Sequence, residues 1–129
     1  MEAMQFVKGS ERLVEAMGGW PSFHDATVVD ASCAADTFSV KLHVFAMTDK
    51  VDPAGYYILE RHHLVSFRFL GVRTNTLPAD YSRDCLFNLT FRRLEGMVQA
   101  DFESHTDQDG SIVCTEVSVM DVLPYSRGE

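Results

Sequence analysis

The sequence predicts an α+β, mostly β fold: an N-terminal helix followed by a twisted antiparallel sheet or sandwich of about six strands. Three observations carry that expectation. Up to Met17 the apolar residues recur at three-to-four spacing, whereas beyond Pro21 they alternate with polar ones. Turn-forming residues separate the alternating runs. The 129 residues, 46% hydrophobic and 23% charged, suit one globular domain, 1–129, able to bury about 65% of its unfolded surface.

The helical element covers residues 1–19. Met4, Val7, Leu13, Val14 and Met17 form its apolar stripe, and Ser10 is placed to cap Glu11 to Met17. Gly18-Gly19 supply the stop, because glycine takes the left-handed conformation that ends helices. The sheet region covers 24–124. Residues 28–33 are its weakest strand. Residues 37–47 put Phe38, Val40, Leu42 and Val44 on one face, and 63–70 do the same with Val65, Phe67 and Phe69. Residues 85–93 present Phe87, Leu89 and Phe91 together, residues 98–103 present Val98, Ala100 and Phe102, and 113–123 close the series. Ala34-Ala35-Asp36 and Asp109-Gly110 read as hairpin turns. Asp52-Pro53-Ala54-Gly55 marks a longer loop over 49–57, and Leu77-Pro78-Ala79-Asp80 marks an irregular stretch over 76–84.

Nineteen acids against eleven bases give a net charge of −8. That balance repels nucleic acid and anionic membranes, so neither is an expected partner, and it favours a basic protein. Cys33, Cys85 and Cys114 are odd in number, lack a CxxC pair and fall in apolar or alternating segments. Reduced, buried thiols are expected. The first thirteen residues contain no uninterrupted apolar stretch, which points to the cytoplasm.

No catalytic residue, metal site or cofactor is expected. His105-Thr106-Asp107-Gln108-Asp109-Gly110, with Glu116, matches part of a calcium-loop pattern. However, His105 stands where a carboxylate is required, and both flanks alternate like strands. His24-Asp25 has the composition of a base and its orienting carboxylate, but neighbours along a strand face opposite ways. The same argument separates His62 from His63, while His43 is free to meet one of them across the sheet. Trp20, Pro21 and Phe23 instead suit an anchor at the helix-to-sheet crossing, with His24 or Asp25 satisfying backbone groups there. Asp49, Asp52, Asp101, Glu103, Asp107 and Asp109 are the acids that a basic partner would meet.

Trp20-Pro21-Ser22-Phe23-His24-Asp25-Ala26, following a helix and leading into the first strand, resembles the immunity protein 50 family of bacterial polymorphic toxin systems. Leu42-His43-Val44-Phe45, the 65–72 strand, and Val119-Met120-Asp121-Val122-Leu123-Pro124 extend the similarity over roughly residues 13–124. The resemblance implies a non-enzymatic cytoplasmic protein that binds and occludes a cognate toxin domain. The acidic charge is compatible with a basic, nuclease-like target. Trp20, Pro21, Phe23, His24 and Asp25 match the motif. The competing class is a small ligand-binding or housekeeping domain, with a pocket between helix and sheet near Trp20, Phe23 and His24.

Overall fold

The computed structural model describes residues 6–21, 23–77, 85–105 and 109–125, without the side chains of 47–49 and 57–59. The element order is β1 (Val7–Lys8), α1 (Ser10–Met17), β2 (Thr27–Ala34), β3 (Thr37–Val51), β4 (Tyr57–Leu70), β5 (Thr74–Asn75), β6 (Leu86–Leu94), β7 (Met97–Ser104), β8 (Gly110–Cys114) and β9 (Glu116–Pro124). The expected class is therefore found. One sheet has the order β1-β9-β4-β3-β2 and the other β5-β8-β7-β6. Every pairing is antiparallel except β1 with β9.

The two sheets are one ladder bent at a corner. Leu70 pairs with Glu116 in the first sheet and Thr74 with Val113 in the second. Between them Thr115 N–H donates to Leu70 C=O at 3.0 Å, and Arg73 N–H to Val113 C=O at 2.7 Å. Gly71, at φ +64°, makes the bend, and the Thr115 hydroxyl packs where its β-carbon would lie. On the opposite side Thr27 bridges to Cys85, so β6 meets β2. Hydrogen bonding thus runs around six strand positions as a flattened barrel.

Inward side chains from both sheets fill the barrel. Val40, Leu42, Phe67, Phe69, Phe102 and Ile112 are all buried. Phe67 and Phe91 have ring centroids 5.6 Å apart, and Phe38 and Phe69 5.7 Å apart. Fully buried phenylalanines of this kind each contribute about 3–5 kcal/mol, judged by truncation to alanine. Helix α1 has eight residues, too few to hold itself, and stays folded because Leu13 and Met17 enter this core.

Several expectations need correction. The helix starts at Ser10, and Val7–Lys8 forms a strand beside β9. Residue Ser10 is the first helical residue, and Gly9, at φ +77°, occupies the cap position without a side-chain cap. The loop expected over 49–57 shortens, because β3 reaches Val51 and β4 begins at Tyr57. The single closing strand over 113–123 is two strands, since Thr115 sits at the corner. Phe87, expected inside, is 50% exposed: the register shifts between Leu86 and Asn88, and that bulge buries Leu86 instead. Two of the three thiols are not buried, Cys33 being exposed and Cys85 half-buried. Of the 76–84 stretch, residues 78–84 lie outside the described residues.

The corner is testable. Gly71→Ala combines a left-handed φ with a clash against Thr115 and is expected to cost more than about 2 kcal/mol in urea denaturation. Gly55→Ala, at φ +93° with open space around it, should lose only about 1 kcal/mol. Equal losses would mean that the corner carries no special steric constraint.

Candidate functional site

Between α1 and β2 the chain must leave a helix and enter an edge of the barrel within a few residues. It does so with Phe23 and Asp25 both at φ +65°. Phe23 is buried against Phe67, with ring centroids 5.9 Å apart. Trp20 sets its edge against Phe23 at 5.7 Å and Phe91 at 6.0 Å. Asp25 N–H donates to Leu86 C=O at 2.8 Å, and Leu86 N–H donates back to Ala26 C=O at 2.7 Å. The motif is therefore a clasp that joins the start of β2 to the start of β6. Ser22 lies outside the described residues.

The clasp brings together side chains that are far apart in sequence. His24 and Asp25 occupy a turn rather than a strand, so the argument that they face opposite ways does not hold here. His24 Nε2 lies 3.7 Å from Asp25 Oδ2, beyond hydrogen-bond reach. Asp25 Oδ1 instead accepts from His105 Nε2 at 2.9 Å. One ligand atom each from Asp25, Cys85 and His105 lie within 4.8 Å of one another. Their backbones are tied as well, since His105 N–H donates to Cys85 C=O at 3.0 Å. His24 Nδ1 donates to Phe87 C=O at 3.1 Å, and the outward Phe87 ring meets His24 at 5.3 Å and His105 at 5.5 Å, edge to face. Asp25 and His105 are each about 40% exposed, so the cluster is open to solvent.

A second histidine group lies on the outer face of the larger sheet. His43 Nε2 and His62 Nδ1 share a hydrogen bond of 2.9 Å, and the Tyr125 ring lies 4.5 Å from His43. His43 pairs with Leu64, and His62, two residues along β4, shares its face. Asp25, Val29, His43, Phe45 and Tyr125 line an open groove of about 390 Å³. A second depression of about 300 Å³, lined by Met17, Trp20, Pro21 and Phe45, adjoins it at Phe45. Of the three residues expected at a pocket, Trp20 edges this depression, whereas Phe23 is in the core and His24 is exposed among the clasp residues.

Among the described acids, two are held by their own loops. Asp52 organises the β3–β4 loop, its Oδ1 accepting from Ala54 N–H at 2.9 Å and Tyr56 N–H at 3.0 Å. Asp109 Oδ1 accepts from Ser104 N–H at 2.8 Å and so closes the β7–β8 connection. Asp101 and Glu103 share the outer face of β7, where Glu103 is exposed. Asp107 and the Asp49 side chain lie outside the described residues. The 105–116 stretch follows β7, contains β8 and ends in β9, so strands stand where a calcium loop has helices, and His105 is held by Asp25.

Two titrations separate structural groups from reactive ones. Burial pushes the Cys114 thiol up to about 11, although a hydrogen bond with the Glu116 backbone opposes it; this cysteine is an inert core residue. Burial also pushes the Asp101 carboxyl up. The Gln99 amide, the Ser111 hydroxyl and the Arg92 guanidinium outweigh that push and hold it below the ordinary carboxylate value.

Among the described residues no helix is long and apolar enough to cross a membrane. Comparison of the chain with protein-family models, with curated proteins and with solved structures finds no match.

Asp101 supplies a pH test. Its folded-state pKa is lowered, so its contribution to stability is full above the unfolded value of about 3.9 and is lost as pH falls through the lower folded value. The wild-type urea midpoint should therefore drop more steeply than that of Asp101→Asn between about pH 5 and pH 3. Parallel profiles would show that the carboxylate's partners do not favour its charged form.

Proposed function

We propose that this chain is a cytoplasmic toxin-neutralising protein that acts by binding and occluding a cognate toxin domain, without bond-making of its own. Three features support the reading. The Trp20–Ala26 block carries the family resemblance. The net charge of −8 suits a basic, nuclease-like target. The third feature, the braced tip of the β3–β4 hairpin, is the observation on which the reading rests most. There, Tyr56 is 72% exposed and Val51 54% exposed, while the Asp52 carboxylate and the Asp52 N–H bond to Tyr56 C=O at 2.8 Å fix the loop. A rigid loop that shows an aromatic and an aliphatic side chain to solvent loses little entropy on docking. Tyrosine is, with tryptophan and arginine, among the residue types enriched at the anchors of such interfaces. Asp52 then serves the interface by holding Tyr56 in place rather than as a bare charge.

The alternative, a small ligand-binding domain, rests on the two depressions that meet at Phe45, one edged by Trp20 and the other by His43 and Tyr125. Native mass spectrometry of the purified chain separates the two, since a retained small molecule would favour this second reading.

Co-expression with a toxin domain, sought among the genes beside its own, tests the proposal. The chain should restore growth and co-purify with the toxin. Tyr56→Ala combined with Val51→Ala should weaken the complex by at least about thirtyfold, the range of a hot spot, with an unchanged melting temperature. Toxicity undiminished by the intact chain would overturn the reading. Rescue that survives the double variant at full affinity would move the interface away from the hairpin tip.

A further inference from the structure

The structure assigns a second property to the clasp: we propose that Asp25, Cys85 and His105 bind one divalent transition-metal ion with the coordination preferences of zinc, with His24 closing the set. The donors are a thiolate, imidazole nitrogens and a carboxylate oxygen, the combination zinc uses in tetrahedral sites. Calcium and magnesium want oxygen alone, so sulfur and nitrogen donors select against them.

The geometry needs little adjustment. A tetrahedral ion with bonds of about 2.0–2.3 Å places its donor atoms about 3.3–3.8 Å apart. The three donor atoms already lie within 4.8 Å of one another, and His105 Nε2 stands 2.9 Å from Asp25 Oδ1. Since a carboxylate only accepts, the proton there sits on His105 Nε2, and an ion would take its place between the two side chains. The backbone carriers are fixed against each other by the Asp25–Leu86 and His105–Cys85 hydrogen bonds and by the Thr27–Cys85 bridge, so the donors converge before any ion arrives.

His24 is arranged as a fourth ligand. The Phe87 carbonyl can only accept, so His24 Nδ1 carries a proton, and in the neutral imidazole it is Nε2, 3.7 Å from Asp25 Oδ2, that holds the lone pair. A backbone carbonyl that fixes the far nitrogen is the usual support of a metal-bound histidine. Phe87, turned outward by its bulge, covers both imidazoles with an apolar edge. Among the described residues no such arrangement surrounds the other two cysteines, Cys114 being buried and Cys33 lying exposed near the end of β2.

Cobalt(II) titration of the reduced, metal-free full chain tests the site, because its readout is a spectrum and is independent of any toxin. One equivalent should produce a thiolate-to-cobalt charge-transfer band with the visible bands of a tetrahedral ion, and zinc should displace it. Cys85→Ser should abolish the charge-transfer band, while Cys33→Ser keeps it. His105→Gln should weaken binding by about 10–100-fold and His24→Ala by about tenfold, the range seen when a ligand or its support is lost. Circular dichroism of each variant confirms folding, and the two exposed histidine substitutions decide the matter if Cys85→Ser does not fold. Absence of a thiolate band in the wild type would overturn the assignment. So would a band that follows Cys33, or affinities unmoved by both histidine variants.

Discussion

The reciprocal hydrogen bonds between Asp25, Ala26 and Leu86 are the constraint on which this structure depends. They close the ladder on the side away from the Gly71–Thr115 corner, turning two sheets into one circuit of strands. A turn with Phe23 and Asp25 both left-handed is uncommon for residues with a β-carbon, and each such residue costs of order 1 kcal/mol or more. The burial of Phe23 among Trp20 and Phe67 offsets that cost, because an aromatic side chain of this size is worth several kcal/mol in a core. Packing thus holds the strain, and the strain aims the Asp25 carboxylate outward at His105.

Much of the fold was legible because alternation is a direct consequence of strand geometry. Phe38, Val40 and Leu42 on β3, and Val65, Phe67 and Phe69 on β4, could be placed inside from spacing alone. What escaped was every departure from regular period two. Phe87 reverses its face through a bulge, and Thr115 breaks the period of two, since Ile112 and Cys114 are buried before it and Val117 and Val119 after it. Such breaks depend on what the neighbouring strand presents, which one strand's own residues do not encode. Val7–Lys8 carries no strand signal of its own, because two residues are too few to show a period.

The candidate site was less legible, for a related reason. His24 and Asp25 were recognisable as chemistry-bearing, yet their separation by strand alternation assumed a strand where the chain makes a turn. Cys85 and His105 gave no local signal at all. Their approach follows from the β6–β7 hairpin, which turns at Glu95-Gly96 and sets Leu86 opposite Ser104. That register was available in principle from the two alternating runs, but the bulge shifts it by one residue just before the pair. The acids are a different case: Asp52 and Asp109 accept from backbone N–H groups, a role that composition cannot separate from that of a bare surface charge.

A closed ladder makes a definite demand on dynamics. If the Asp25–Leu86 closure is integral to the barrel, the amide protons of Asp25 and Leu86 can exchange with solvent only when the whole molecule opens. Native-state hydrogen exchange followed by NMR measures this directly. The account predicts that both amides exchange with the same free energy as those of Val40 and Phe67 in the core. Exchange of Asp25 and Leu86 at much lower free energy, while the core stays protected, would contradict it and reduce the clasp to an ornament on an open sandwich.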